Sequence, residues 1–387
     1  MQLATAVVGR RGEERVRRGH PWVFRSDVTR VDGVPGPVVR VVGARAEPLG
    51  FAFFSSNSEI RLRVFERGEV LAEGFLRDRL QAALAWRETV APGAEACRLV
   101  HGEGDGLPSI IVDRYAEYLV VQTLSQGTDR LKDQLVQDLV ELTHPRGILE
   151  RNDPRARALE GLDQRVGLLH GTVPERVEVR EGEVRYEADL WKGQKTGLFL
   201  DQRENHLAAR AYVRGRVLDG FCYDGGFGLH AAALASEVIS VDTSPEALAR
   251  LARNAELNAV RNLTPREANV FDLLRELEAS GERFDAVFLD PPAFAKSKGA
   301  IPKAWRGYKE INLRALKLLR AGGCLITCSC SYHIHEDDFE QILGAAAIDA
   351  GTAATVVERR RQARDHPVVL GVPETHYLKC LVVRRLA

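Results

Sequence analysis

The sequence predicts an α/β protein whose carboxyl-terminal half folds as a mostly parallel sheet, preceded by a small β region and an α+β region. Three observations support this class. Strand-like segments at 217–219, 238–242, 266–270, 285–290 and 324–329 alternate with helical stretches, which is the pattern of a parallel sheet. A glycine-rich turn follows the first of these strands. Short β segments separated by glycine and proline occupy the beginning of the chain.

Composition limits the class of protein and its partners. The chain has 387 residues, 45% of them hydrophobic, which is enough for several buried cores. Its formal net charge is +0, so a polyanion must be met by a local patch; the first 45 residues supply one, with nine arginines against four acids. We see no apolar run of membrane-spanning length, no signal peptide and no disulfide framework, and we expect a cytoplasmic protein.

Residues 1–70 are predicted to form a small β barrel or sandwich from the segments ATAVVG, PVVRVVG, PLGFAFF and IRLRVF. Arg17 and Arg18 lie between the first two segments, close to Trp22 and Phe24. Arginines interleaved with exposed aromatic rings are typical of RNA binding, because the cations contact phosphate and the rings stack on bases. The alternative is that the two aromatic rings fill the barrel and the arginines are merely solvated.

Residues 71–188 are predicted to form an α+β domain, and residues 189–387 the parallel sheet. A helix is expected around 73–90, with apolar positions at 76, 80, 84 and 86, and a second one at roughly 129–142. Two strands joined across a turn are expected between them, and short strands and turns at 146–190. The last two apolar runs, around Pro367 and Pro373, are expected to form an antiparallel edge of the parallel sheet.

The segment VLDGFCYDGGFGLH, residues 217–230, predicts a cofactor site, because strand, glycine-rich turn and helix form nucleotide-type sites. It lacks the dinucleotide spacing and the phosphate loop. Asp219 would repel phosphate but suit a sulfonium, Asp242 suits ribose hydroxyls, and Asn269 and Asp272 suit an adenine amino group. This set favours S-adenosylmethionine (SAM) over NAD. The alternative is an ordinary sheet with solvated loop acids.

The segment FDAVFLDPPAFAKSK places Asp290, Pro291 and Pro292 after the fourth strand. Two prolines make a stiff extended turn. Asp290 is positioned to accept a hydrogen bond from a base amino group, and Phe294 to stack on an extruded base. The motif by itself indicates methylation of a planar nitrogenous substrate.

The segment CLITCSCSYH places Cys328 and Cys330 on one face of the fifth strand. Carbon 5 of a pyrimidine becomes a good nucleophile only after a thiolate adds to carbon 6, so a cysteine beside Asp290 is a candidate for that role. Two alternatives stay open. The cysteines are inert core residues, or they bind a metal together with His333 and His335.

Six motifs occur in order along the chain: GHPWVF, HGEGDGLPSIIVDRY, KTGLFLDQR, LDGFCYDGGFGLHAA, DPPAFAKSK and TCSCS. Together they resemble the ribosomal RNA large subunit methyltransferase I family of SAM-dependent 5-methylcytosine enzymes, over essentially the whole chain. The resemblance implies an amino-terminal PUA domain, an α+β middle domain and a Rossmann-like class I methyltransferase domain. It also implies 23S rRNA as the substrate, carbon 5 of one cytosine as the methylated atom, and often a homodimer.

The resemblance also implies roles for individual residues. Cys328 would be the nucleophile, with Cys330 as the fallback, and Asp290 would orient the cytosine. No cysteine stands in the Asp-Pro-Pro motif, so Cys330 or another base would help to release the product, and Asp224 stands where a small hydroxyl residue is expected. The residues implied for cofactor binding are Phe199, Gln202, Arg203, Asp219, Gly220, Phe221, Tyr223, Gly225, Gly226, Asp242, Ser244, Asn269 and Asp272. The competing functions are methylation of a guanine or adenine nitrogen, and RNA binding without catalysis.

Overall fold

The computed structural model describes residues 3–386, which form two compact units. The first unit contains the chain up to residue 179 together with residues 188–198 and 364–375. The second unit contains residues 180–187, 199–363 and the chain from residue 376 onward. Within the described residues, every helix is too short or too polar to cross a membrane.

A six-stranded sheet begins the first unit. Its order is β2-β6-β5-β4-β1-β3, and only the β1–β4 pair is parallel. The four predicted β segments are confirmed, and the structure adds β2, β3 and an arginine-rich helix, α1. The elements are Thr5–Val8 (β1), Arg10–Arg17 (α1), Trp22–Phe24 (β2), Val28–Asp32 (β3), Val38–Val42 (β4), Pro48–Phe54 (β5) and Ile60–Glu66 (β6), with a 3-10 turn at Arg25–Asp27.

A five-stranded sheet with order β11-β10-β9-β8-β7 completes the first unit. Two helices lie near the predicted positions. Three strands lie between them, where two were predicted. Trp86, predicted as an apolar contact of the first helix, is 48% exposed. The elements are Phe75–Val90 (α2), Ala96–His101 (β7), Ile110–Tyr115 (β8), Tyr118–Thr123 (β9), Gln126–Asp129 (α3), Lys132–Thr143 (α4), Gly147–Asn152 (β10), Ala156–Leu159 (α5) and Arg165–Gly171 (β11), with 3-10 turns at Gly102–Asp105 and Pro373–Thr375.

A two-stranded hairpin, Arg176–Glu181 (β12) and Val184–Asp189 (β13), contains residues of both units. The six-, five- and seven-stranded sheets fall inside the predicted ranges 1–70, 71–188 and 189–387. The boundaries of three separate domains stay a prediction.

A seven-stranded sheet forms the second unit, with order β16-β15-β14-β17-β18-β20-β19. The first five strands are mutually parallel, and β20 runs antiparallel to both of its neighbours. The strands are Arg216–Gly220 (β14), Glu237–Asp242 (β15), Leu263–Glu267 (β16), Phe284–Leu289 (β17), Leu319–Ser329 (β18), Ala354–Arg361 (β19) and Lys379–Arg385 (β20). This topology confirms the predicted α/β class with its Rossmann-like sheet.

Helices and short turns connect the strands of this sheet. They are Arg203–Ala209 (α6), Gly226–Ala232 (α7), Pro245–Leu257 (α8), Val270–Ala279 (α9), Ile301–Leu318 (α10) and Glu336–Asp349 (α11), with 3-10 turns at Leu200–Gln202, Arg210–Tyr212 and Lys298–Ala300. The order of the strands reverses between β14 and β17. In open α/β sheets ligands bind at such a point, beyond the carboxyl ends of the strands.

Two predicted positions in this sheet are wrong. The third strand ends at Glu267, three residues earlier than predicted, because Asn269 is already the N-cap of α9. The antiparallel edge is not formed by the apolar runs around Pro367 and Pro373, which lie in the first unit outside any strand. Proline lacks a donor for a strand ladder, whereas the arginine-rich β19 alternates half-buried and exposed residues as an edge strand does.

Candidate functional site

The candidate site lies at the switch point of the seven-stranded sheet, where β14 leads into a left-handed turn. Phe221, Tyr223 and Gly225 have φ angles of 64°, 51° and 95°. Such angles are uncommon for residues with a Cβ, and they cluster where function requires a particular backbone shape. The Tyr223 backbone N–H donates to Oδ2 of Asp242 at 3.0 Å, which ties the turn to the end of β15.

The glycines of this turn are required by packing against other parts of the protein. A Cβ at Gly226 would lie 2.4 Å from Cε1 of His206, and a Cβ at Gly228 would lie 2.6 Å from Oδ2 of Asp219. A glycine-rich turn at this position also lets a ligand approach the backbone closely. The structure gives an additional reason, because helix α7 could not pack at this depth if it carried side chains here.

Asp219, which the sequence predicts to bind the cofactor, is buried at the end of β14, and its role toward the cofactor stays a prediction. It is 1% exposed, accepts a hydrogen bond from the Ser240 hydroxyl at 3.3 Å, and approaches the start of α7. Burial raises its pKa to about 7, and burial likewise raises the pKa of Asp224 to about 7. Both carboxyls therefore carry only part of a negative charge at neutral pH.

Asp242 and Ser244 are fixed at the end of β15. Asp242 accepts backbone N–H groups from Tyr223 and Ser244, each at 3.0 Å, so its two oxygens have a defined direction. Each carboxylate oxygen retains acceptor capacity for a ribose hydroxyl. Ser244 has a structural role as well, because its hydroxyl caps α8 by accepting the Ala247 N–H at 3.2 Å.

Asn269 and Asp272, predicted to meet an adenine, lie at the start of α9. The Asn269 side chain caps this helix by accepting the Phe271 N–H at 2.9 Å. The side chain of Asp272 is 76% exposed and pairs with Arg275 at 3.3 Å. The structure thus gives both residues local roles on an exposed surface.

The segment before α6 supplies a buried donor. Oε1 of Gln202 accepts a hydrogen bond from Asn205 at 2.6 Å, and the buried amide group of Gln202 also interacts with the thiol of Cys328. The ring of Phe199 meets the ring of Tyr223 edge-on at 5.0 Å, and Arg203 is buried at the first position of α6. A buried amide whose nearest acceptor is a sulfur, a weak acceptor, can still donate to a polar ligand such as SAM.

A buried cluster of Glu181, His206 and His230 adjoins the glycine turn, and sequence reasoning missed it. Oε1 of Glu181 lies 2.8 Å from Nδ1 of His206 and 3.0 Å from Nε2 of His230. Although burial opposes charge, the interaction with His206 lowers the pKa of Glu181 to about 2, and the carboxylate raises the pKa of His206. The cluster packs against Gly226, and its hydrogen bonds favour the charged forms of Glu181 and His206.

These three side chains are also the only group in the described part of the chain with the geometry of a metal site, their ligand atoms lying within 4.8 Å of one another. Hydrogen bonding to one shared carboxylate oxygen already accounts for that closeness. The predicted alternative of Cys328 and Cys330 with His333 and His335 is not gathered into such a group.

Cys328 lies in the core, which argues against the nucleophile predicted there. It is fully buried on β18 opposite Cys380 of β20. Burial and the neighbouring Cys380 raise the pKa of its thiol well above the ordinary value. A nucleophilic cysteine needs an accessible thiolate, and this environment disfavours one.

Cys330 is the first residue after β18 and is partly buried. Of the six cysteines, all within the described residues, it alone is not buried. Its thiol donates to the carbonyl oxygen of Pro291 at 3.8 Å, so it contacts the Asp-Pro-Pro turn directly. Asp290 is half-buried at the end of β17. Phe294 packs against Tyr308, with ring centroids 4.5 Å apart.

The predicted RNA contacts belong to the first unit. Arg17 and Arg18 are exposed at the end of α1, and Arg17 pairs with Glu13 at 2.8 Å. Trp22 and Phe24 are half-buried on β2, where only Val23 enters the core. The two rings therefore do not fill the barrel, contrary to the alternative considered from the sequence.

Comparisons with known proteins agree with this geometry. Residues 7–67 match the PUA-like domain family, and residues 157–384 match the S-adenosylmethionine-dependent methyltransferase family. A methyltransferase solved in complex with SAH has 20% sequence identity and a TM-score of 0.84, covering 98% of this chain and 99% of its own. A SAM-dependent methyltransferase from Streptococcus mutans has the same identity and coverage, with a TM-score of 0.83.

Two relatives carry the name "Ribosomal RNA large subunit methyltransferase I". The protein from Photobacterium profundum is 42% identical, covering 97% of this chain and 98% of its own length. The protein from Shewanella amazonensis is 43% identical, covering 96% and 97%. The chain therefore belongs to the ribosomal RNA large subunit methyltransferase I family of SAM-dependent methyltransferases.

Proposed function

We propose that this chain methylates carbon 5 of a cytosine in 23S rRNA, with SAM as the methyl donor and Cys330 as the nucleophile. The names of the relatives support large-subunit rRNA as the substrate. One observation carries the choice of carbon 5: the single thiol that is not buried contacts the Asp-Pro-Pro turn. Methylation of a nitrogen needs no thiol at that position.

The proposed chemistry begins at Cys330. Its thiolate adds to carbon 6 of the cytosine, and the electron pair of the double bond moves to carbon 5. SAM would supply an electrophilic methyl group; carbon 5 bonds to that methyl carbon as its bond to sulfur breaks, and S-adenosylhomocysteine is the leaving group. Loss of the carbon-5 proton to water restores the double bond and expels the thiolate. Asp290 accepts a hydrogen bond from the cytosine amino group and orients the ring.

The experiment is to incubate the purified protein with SAM and protein-free 23S rRNA, and to analyse the nucleosides by mass spectrometry. We expect 5-methylcytidine, approaching one per RNA molecule, and bisulfite sequencing then locates the position. Methylated guanine or adenine in its place would refute carbon-5 chemistry and support nitrogen methylation through the Asp-Pro-Pro turn. Absence of methylation together with absence of SAM binding would support an RNA-binding protein without catalysis.

Replacing Asp242 by alanine is expected to weaken SAM binding by at least tenfold. The change removes a charged acceptor for the ribose and releases the Tyr223 N–H that shapes the turn; a hydrogen bond to a charged group contributes about 1.5–3 kcal/mol. Titration calorimetry measures the affinity. Asp349→Ala is the matched control, because that exposed carboxylate pairs with Lys309 and is not among the residues implied for cofactor binding; an equal loss in both variants would contradict the assignment.

Replacing Arg17 and Arg18 together by alanine is expected to weaken RNA binding more than turnover at saturating RNA. Both side chains are exposed on α1 in a region rich in arginine. Each lost phosphate contact reduces the slope of log affinity against log salt by about 0.7–0.9. Filter binding at several salt concentrations measures this slope. Arg146→Ala, an exposed arginine paired with Glu117, is the control; an unchanged slope in the double variant would refute the contact.

A further inference from the structure

Lys379 is a buried lysine on β20, the strand that pairs with the end of β18, one residue before the proposed nucleophile Cys330. It is the first residue of β20, pairs in register with Ser329 of β18, and is 2% exposed. Its Nζ donates to the carbonyl oxygens of Ser331 at 2.8 Å and Tyr377 at 2.9 Å. Ser329 and Ser331, which contact Lys379, are the residues on either side of Cys330. The Lys379 side chain therefore lies beside the backbone of Cys330.

The charge on Lys379 lacks a carboxylate partner. Among residues 3–386, Nζ makes only the two hydrogen bonds to carbonyl oxygens and no ion pair within 4 Å, so one of its three N–H donors is uncommitted. Buried charges in proteins are normally paired, because burial without compensation is costly. A nearby anion would therefore stabilise the charged form of Lys379.

Burial lowers the pKa of Lys379 to about 8, while Cys330 is the strongest of the neighbouring groups that raise it. The amine is thus mostly protonated at pH 7 and loses its proton as the pH rises through about 8. Each member of an ammonium–thiolate pair favours the charged form of the other. The titratable and charged groups around this pair are Asp290, Tyr308, Glu336, Asp338 and His376.

We propose that Lys379 is a positioning residue that holds Cys330 as a thiolate, the uncommitted N–H of its ammonium group facing the sulfur. The thiol proton passes to solvent, and the ammonium compensates the charge left on sulfur. Cys330 is then already a thiolate in the protein without bound RNA. The use of this thiolate in catalysis rests on the proposed function of Cys330. The ion pair between Lys379 and Cys330 does not depend on that function.

The test measures alkylation of Cys330 by iodoacetamide, followed by peptide mass spectrometry, on the full chain without RNA or SAM. An ordinary thiol with a pKa of about 8.5 reacts about tenfold faster at pH 7.5 than at pH 6.5. We expect the rate at Cys330 to rise less than about threefold over this range. A tenfold rise in the unmodified protein overturns the proposal, whatever the variants do.

Variants identify the source of the effect. Lys379→Met is expected to restore the tenfold rise and to slow alkylation at pH 6.5 by about tenfold, whereas Lys379→Arg retains the shallow profile. Lys309→Met, which removes a lysine paired with Asp349 on another surface, should leave the profile unchanged. A shallow profile in a folded Lys379→Met protein would refute the assignment. If the alkylation profile shows the ion pair but Cys330→Ala still methylates RNA, the proposed role of Cys330 in catalysis is refuted. The ion pair between Lys379 and Cys330 is then still supported.

Discussion

Replacing Cys330 by alanine is expected to abolish methyl transfer, with a loss of at least about a thousandfold, and to abolish the covalent adduct with RNA containing 5-fluorocytosine. Without the thiolate, carbon 5 of the cytosine is too weak a nucleophile to attack the methyl group. A denaturing gel measures the adduct, and nucleoside analysis measures the product. Retention of either one by this variant would remove Cys330 from the mechanism.

Cys328→Ala is the matched comparison, two residues before Cys330 and inside β18. Its thiol is buried opposite Cys380, so the change removes only core packing, at about 1 kcal/mol, and turnover should stay within about tenfold of the unmodified protein. Cys380→Ala gives the effect of a similar cavity without touching β18. If Cys328→Ala abolishes the adduct while Cys380→Ala does not, the nucleophile is Cys328, as the sequence analysis predicted.

Replacing Glu181 by glutamine is expected to lower the free energy of unfolding by about 3 kcal/mol at pH 5.5, because removing one partner of a buried ion pair leaves the other uncompensated. The raised pKa of His206 stabilises the fold below pH 6.5. This stabilisation is lost as the pH rises through the pKa that His206 has in the folded protein. The lowered pKa of Glu181 stabilises the fold above pH 4.5, and this is lost toward pH 2. The difference between the proteins should therefore be largest between pH 4.5 and 6.5.

Urea unfolding followed by circular dichroism at pH 5.5 and pH 9 measures this effect. Glu183→Gln is the control, because that carboxylate is exposed near the end of the same strand and forms a surface pair with Arg210. A surface pair contributes at most about 1 kcal/mol. The same destabilisation at both pH values would show that the loss comes from packing and not from charge.

Local patterns predicted a large part of the fold. The alternation of strands and helices predicted the parallel sheet, and the left-handed turn after β14 occurs where the glycines stand. The assignments failed where a residue's neighbours are distant in the sequence. Glu181 meets His206 and His230 from 25 and 49 residues away, and no local spacing indicates that such residues will share one carboxylate oxygen.

The order of the motifs, the class of the sheet and the two cysteines of the segment TCSCS can all be read from the amino-acid sequence. The different surroundings of Cys328 and Cys330 are visible in the fold alone. Strand alternation directs Cys328 and Cys330 to one face, but β18 ends at Ser329, and β20 covers Cys328 while leaving Cys330 at the edge of the core. A side chain's exposure depends on what packs over it, and here that neighbour comes from the far end of the chain.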